Sequence, residues 1–217
     1  LAALAVGFLV GIANGSIIAY LNVQAFIVTL GMMSVLKGIG LAIAKGSPIT
    51  GVPQSILFLG RGKLFGTIPG QVIIFICVAI VATVILKYTS LGRYTYAIGG
   101  NPEATRLSGI NVKRYTMLIY GISGLLAGLA GILMATQLNM GEARLGDGYE
   151  MDAIAAVVIG GTSLKGGVGT VGGTIIIGFL GNLLNLMDVP SYTQLIFKGA
   201  IIVIAATMQT ERKPGKC

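Results

Sequence analysis

Six long apolar stretches, at 1–21, 25–44, 71–87, 115–138, 172–187 and 193–210, constrain this chain more than any other feature. Most reach the roughly 17–25 residues that a helix needs to cross the hydrocarbon core of a bilayer. Strands crossing a bilayer would be about 10 residues long and alternate in polarity, and these stretches do not alternate. Lipid offers no partner to an open backbone, so the spans are expected to be helices. Composition agrees. Only 10% of the 217 residues are charged, against about 25% in a soluble domain. The fold class expected is all-α, a polytopic transmembrane bundle forming a single domain over 1–217.

The formal net charge is +8, yet the basic residues form no stripe interleaved with aromatics, which argues against nucleic acid. They gather at the ends of apolar segments and so set orientation. The loop 87–114 holds five, the tail 212–216 holds three, and Lys165 makes nine on one side. Lys45, Arg61, Lys63 and Arg144 make four on the other. Positive-inside therefore predicts a cytoplasmic 87–114 and C-terminus, with 45–70 and the acidic loop 139–152 outside. The alternation holds only if 153–171 also crosses. Leu1 lies within an apolar run with no basic residues ahead of it, so a cleaved signal peptide is a poor reading and an N-terminally truncated chain is expected.

The segment 153–171 predicts a broken helix. Asp152 to Ile159 is apolar and helical, but five glycines follow among residues 160–169. At about 1 kcal/mol each they cannot occupy a helix interior. A half-helix over 153–160, a glycine-rich turn and a long helix from about 171 are expected. A break at membrane depth would mark a transport pathway; a plain loop between tilted helices is the other reading, and both stay open. Elsewhere, Gly124 and Gly128, with Ser123, Ala127 and Gly131 beside them, read as a stripe for close helix packing. The segment 45–70, with Pro48, Pro53, Pro69 and the apolar piece 55–59, reads as interfacial.

The loop 88–114 carries the most information. Asn101-Pro102 is a helix start, with Pro at the first helical position and Glu103 near the positive end of the dipole. Ala104, Leu107 and Ser108 continue a short helix, and Gly109 stops it. A connector needs no capped helix of its own, so the loop reads as a docking feature. Chemistry is absent by composition. The chain has no histidine and two cysteines, Cys77 and Cys217, and the interiors of the predicted spans hold no Asp or Glu. Gly160–Gly169 contains Lys165 with no Ser or Thr after it, so it is not a phosphate-cradling P-loop. No enzymatic activity, metal or cofactor is expected. Polar residues inside spans (Asn14, Ser16, Thr29, Ser34, Asn182, Asn185 and Gln194) could supply hydrogen bonds to a neutral solute or join helices to one another. Lys37 reads as snorkelling, and Lys198, deeper, as facing protein or water.

The run Gly99-Gly-Asn-Pro-Glu-Ala-Thr-Arg-Leu-Ser-Gly-Ile-Asn-Val112 resembles the cytoplasmic loop of permeases in the ribose-type ABC sugar importer family. Ala25–Gly31, Asp152–Ser163 and Leu183–Leu186 match the same family in the same order, over essentially the whole chain. The resemblance implies the C-terminal two-thirds of a permease in a bacterial inner membrane, with roughly three earlier spans missing. Its implied partners are two cytoplasmic ATPase subunits, a periplasmic sugar-binding protein and a second permease subunit. Asn101, Pro102, Glu103, Ala104, Thr105, Arg106 and Gly109 would form the coupling helix. Asn14, Thr29, Gly160, Gly161, Thr162, Asn182 and Asn185 are the candidate translocation residues. A branched-chain amino-acid permease and a self-contained secondary transporter or channel are the alternatives.

Overall fold

A computed structural model describes residues 1–64, 68–163, 166–169, 171 and 199. The expected spans at 172–187 and 193–210, the helix from 171 and the basic tail lie outside the described residues, as do Lys165, Asn182, Asn185, Gln194 and Lys198. Among the described residues, four helices are long and apolar enough to cross a membrane: α1 (Ala2–Leu21), α2 (Ala25–Ala44), α4 (Gly70–Tyr88) and α7 (Val112–Leu138). Each falls within three residues of its expected bounds. At 1.5 Å per residue, the 27 residues of α7 extend for about 40 Å, longer than the ~30 Å hydrocarbon core.

The ends of these helices follow local chemistry. Asn22 and Asn139 close α1 and α7 in the left-handed region, at φ 52° and 58°, where Asn is second only to Gly. Lys45 closes α2 in the same way at φ 49°, and the Gly46 amide then reaches back to the Leu41 carbonyl at 3.0 Å. The α2 helix has no buried residue. Phe26, Ile27 and Ile43 are all more than half exposed. In water such a surface would aggregate; facing acyl chains it is the natural outside of the molecule.

Between α2 and α4 the segment 45–70 contains strand β1 (Ile49–Thr50), helix α3 (Gln54–Arg61) and the hairpin of β2 (Lys63–Leu64) with β3 (Ile68–Pro69). It is tied to the far end of α7. β1 pairs antiparallel with β4 (Met140–Gly141), Ile49 opposite Gly141. Arg61 Nε donates to the Gln137 carbonyl at 2.9 Å, and Gln71 Nε2 to Gln137 Oε1 at 3.3 Å. A Cβ added at buried Gly60 would collide with Thr136 Oγ1 and stand 2.7 Å from the Gln137 amide. Segments 45–70 and 139–152 thus share one end of the bundle, as the alternation of spans requires.

The most extensive helix packing among the described residues joins α1 to α7. Gly7, Gly11 and Gly15 recur every fourth residue on α1. A Cβ at Gly11 would fall on the Tyr120 carbonyl oxygen and 2.9 Å from Gly121 Cα. One at Gly15 would stand 2.8 Å from Met117 Cα. From the other side, a Cβ at Gly124 would meet the Gly7 carbonyl and one at Gly128 the Ala3 carbonyl. The expected role of Gly124 and Gly128 in close packing holds, whereas Gly131 faces open space.

Two further helices complete the described chain before α8. They are α5 (Ser90–Gly100) and α6 (Pro102–Leu107), both within the loop that joins α4 to α7. The last described helix, α8 (Tyr149–Ile159), has 11 residues, about 16 Å in length. It is too short to span, as the broken-helix reading requires. It begins earlier than expected, at Tyr149, and its Ala155, Ala156 and Val158 are the buried apolar residues among those described.

Candidate functional site

The α5–α6 unit is built from successive side-chain caps. Thr89 Oγ1 accepts from the Gly92 amide at 3.4 Å and donates to the Ile85 carbonyl at 2.6 Å, so α4 ends and α5 begins on one side chain. Tyr94 of α5 meets Tyr115 of α7 edge-on, with ring centroids 4.7 Å apart and planes at 71°. Asn101 then breaks the helix in extended conformation, at φ −155°. Its Oδ1 accepts from the Ala104 amide at 3.0 Å, the bond that satisfies an otherwise orphaned donor at a helix start. Pro102 occupies the first turn.

The short helix α6 is held from both ends. Arg106 pairs with Glu103 at 2.7 Å. Ser108 Oγ donates to the Ala104 carbonyl at 2.9 Å and closes the helix, which ends at Leu107. Gly109 then turns the chain at φ 83°, a conformation that costs Gly nothing. Asn111 Oδ1 accepts from the Arg114 amide at 3.1 Å and starts α7. Pro102, Glu103, Ala104, Arg106 and Gly109 are exposed, and Leu107 is 78% exposed. Thr105 departs from this pattern. It is 6% exposed, with its hydroxyl donating to the Asn101 carbonyl at 2.8 Å. It therefore faces the body of the protein rather than a docking surface.

The glycine-rich turn lies against the same unit. Gly160 caps α8, and Gly161, Gly166 and Gly167 take φ values of 83°, 90° and 78°. The Ser163 amide donates to the Val168 carbonyl at 2.9 Å, and the Gly166 amide to the Ser163 carbonyl at 3.0 Å. The turn seats on the end of α5. A Cβ at Gly99 would stand 3.2 Å from Gly167 Cα and collide with the Gly167 amide nitrogen. One at Gly166 would stand 2.9 Å from Gly99 Cα. Tyr96 OH donates to the Gly169 carbonyl at 2.9 Å. Beside this contact is a cavity of about 610 Å³, lined by Leu86, Thr95, Thr116, Tyr120, Thr162 and Ser163 among others. Leu86 and Thr116 place it at the ends of α4 and α7 that carry Lys87 and Lys113, so the turn sits at those ends of the bundle.

The polar residues within spans separate into two kinds. Ser16, Thr29 and Ser34 donate to carbonyls of their own helices, at 2.7 Å to Ile12, 3.0 Å to Ala25 and 3.2 Å to Leu30. Asn14 differs, because its Oδ1 is buried without a hydrogen-bond partner among the described residues. None of these four is among the described residues that line the cavity beside the glycine turn. Lys37, which reads as snorkelling, meets Asp147 across 110 residues of sequence at 2.6 Å.

Three features were missed in the sequence. The helix α5 has weak local signals, with Gly92, Gly99 and Gly100 in it. The contact of Gly99 with Gly167 joins residues far apart in the chain. The recurrence of Gly7, Gly11 and Gly15 was visible and is the same small-residue pattern that was read on α7.

Residues 1–206 match the family model described as "Branched-chain amino acid transport system / permease component". The ribose import permease protein RbsC of Escherichia coli (strain K12) is 47% identical over 220 residues, covering 98% of this chain and 68% of that protein. RbsC of Bacillus subtilis (strain 168) is 43% identical over 205 residues, 92% of this chain and 63% of its own length. The L-arabinose transport system permease protein AraH of Escherichia coli (strain K12) is 35% identical over 207 residues, 94% of this chain and 63% of its own length. The chain thus spans about two thirds of the relatives it matches. No solved structure matches it.

Proposed function

The chain belongs to the permease-component family of branched-chain amino acid transport systems, and from that premise we propose that it is the membrane-spanning subunit of an ATP-driven importer of a small sugar, a pentose or related monosaccharide. The similarity to ribose and arabinose permeases supports a sugar over a branched-chain amino acid. The observation that carries the mechanism is α6, a short helix capped at both ends that holds Glu103, Arg106 and Leu107 outward.

In this reading α6 is the coupling helix. Asn101 and Pro102 start it, Gly109 frees its far end, and Glu103, Ala104, Arg106 and Leu107 meet a groove of a cytoplasmic ATPase subunit. Thr105 positions it from behind. ATP-driven closure of two ATPase subunits then reaches the spans as rigid-body motion across an interface. A second permease subunit completes the channel, and a periplasmic binding protein delivers the sugar. The loop 88–114 and the C-terminus are cytoplasmic, and 45–70 is periplasmic, supported by the bias of Lys and Arg. Asn14, Thr29 and Gly160 to Thr162 are assigned to the translocation path together with Asn182 and Asn185, which lie outside the described residues. Asn14 has the strongest support, since an amide with a buried acceptor to offer suits a passing hydroxyl.

The test is uptake by the full-length permease in lipid vesicles. Sugar uptake is expected only with the ATPase, ATP and binding protein together, and uptake without the ATPase would sink the reading. Gly109→Pro, which forces φ near −65° where the chain needs 83°, and Glu103→Lys are expected to abolish uptake with the spans still inserted. Normal association of both variants with the ATPase would remove the docking role from α6.

A further inference from the structure

The glycine turn sits where it can feel α6 directly. Gly99 and Gly100 are the last two residues of α5, and Asn101, the cap of α6, follows at once. Gly99 touches the turn by backbone alone: a Cβ there would collide with the Gly167 amide nitrogen, with Gly167 Cα at 3.2 Å and the Gly166 carbonyl carbon at 3.3 Å. A second tie holds the same surfaces one turn back along α5, the 2.9 Å hydrogen bond from Tyr96 OH to the Gly169 carbonyl. Between turn and α8 the chain is short and well bonded, with the Gly161 and Thr162 amides reaching back to the Val158 and Val157 carbonyls at 3.1 Å. Backbone packed on backbone has no side-chain rotamers to absorb a displacement, so such a contact transmits motion stiffly.

We propose that Gly99 and Tyr96 form a second transmission point, through which displacement of α6 drives the glycine turn and α8 in parallel with its action on α7. This rests on the reading of α6 as the coupling helix and adds a route to it. The α6–α7 junction passes through Gly109 in a left-handed turn, with the Gly109 and Ile110 amides bonded back to the Arg106 and Thr105 carbonyls, and the α5–turn contact gives α6 a second way out. Gly99 and Tyr96 are thus positioning residues, which act through the glycine turn and set how far α8 follows the motor.

The neighbouring residue supplies an internal control. A Cβ at Gly100 meets nothing within 4 Å among the described residues, although the Gly100 backbone lies against Gly167, so Gly100→Ala adds the same methyl as Gly99→Ala without pressing it into the turn. The experiment reconstitutes the full-length permease with its ATPase and binding protein in vesicles and measures sugar taken up per ATP hydrolysed. Gly99→Ala and Tyr96→Phe are expected to keep ATPase binding and ATP hydrolysis and to lower this ratio by about threefold or more, within the range that residues along a coupling network command. Gly100→Ala is expected to match the wild type. If Gly99→Ala fails to insert, Tyr96→Phe decides, since it removes one hydroxyl and keeps the ring. A wild-type ratio in Tyr96→Phe and in an inserted Gly99→Ala, or an equal fall in Gly100→Ala, overturns the proposal. Failure of the wild-type permease to bind the ATPase at all would instead overturn the coupling-helix reading beneath it.

Discussion

Lys37 Nζ lies 2.6 Å from Asp147 Oδ2, joining the middle of α2 to the loop that precedes α8. A second contact lies one turn along α2, where a Cβ at Gly40 would stand 3.1 Å from Ala143 Cβ. With α2 burying no residue of its own, these contacts, the β1–β4 pairing and its contact with α1 hold it in place among the described residues. Both side chains are partly exposed, 37% for Lys37 and 51% for Asp147, and an exposed pair in water contributes about 0–1 kcal/mol. Lys37→Asp and Asp147→Lys are each expected to lower the melting temperature in detergent. The double exchange is expected to recover most of the loss, and added salt to shrink the differences. A double variant no better than the singles would show that charge pairing is not what matters at this position.

The glycine ladder between α1 and α7 makes a sharper prediction. Gly11→Ala places its Cβ on the Tyr120 carbonyl, so the two helices must separate. Overpacking of this kind costs roughly 1–3 kcal/mol. Gly31→Ala and Gly38→Ala, on α2 with open space around them, are expected to be neutral or slightly stabilising. Thermal unfolding in one detergent compares all three. Equal melting temperatures would mean that α1 and α7 do not pack through Gly11.

Asn101 holds the start of α6 through one side-chain bond to the Ala104 amide. Removing such a cap costs about 1 kcal/mol, which corresponds to roughly fivefold in an equilibrium. Asn101→Ala is expected to weaken ATPase binding by about that factor, and Asn101→Asp, which keeps the acceptor, to restore it. Titration of detergent-solubilised permease with the ATPase gives both affinities. Failure of Asp to rescue would assign the loss to something other than helix start.

Asn14 can be told apart as path or as glue. Its Oδ1 is buried and unpartnered among the described residues, and replacing an unsatisfied polar group by an apolar one of similar shape is close to neutral for stability or better. Asn14→Leu is therefore expected to melt at or above the wild-type temperature while slowing sugar uptake, with ATPase binding unchanged. A variant that melts lower and transports normally would mark Asn14 as a helix-joining residue.

The spans and α6 were legible in the sequence for one reason: their signals are local. A run of apolar residues or an Asn-Pro start closed by Gly109 needs no knowledge of distant partners. The half-helix before Gly160 was legible in the same way, though not its start at Tyr149, because the turns that precede it carry no fixed pattern. Thr105 stands with the docking residues because the resemblance carries the whole motif, and only the helix geometry turns it inward. The α5 helix escaped because Gly92, Gly99 and Gly100 argue against helix. It is held by contacts beyond itself, Tyr94 on Tyr115 and Tyr96 on the glycine turn. Lys37 and Asp147 stand 110 residues apart, and nothing near either residue in the sequence announces the other.

The glycine ladder also bears on how the protein is made. α1 and α7 are separated in the chain by everything from α2 to α6, yet they share the most extensive contact of any two described helices. α1 therefore enters the bilayer with its fitted surface empty and keeps it so until α7 has been synthesised. Insertion and final packing are separate events for this helix. In that interval Gly7, Gly11 and Gly15 offer a close-fitting groove to any small-residue helix nearby. A substitution that slows the arrival of α7 is expected to appear first as misassembly of α1, the helix that a membrane chaperone would have to shield in the meantime.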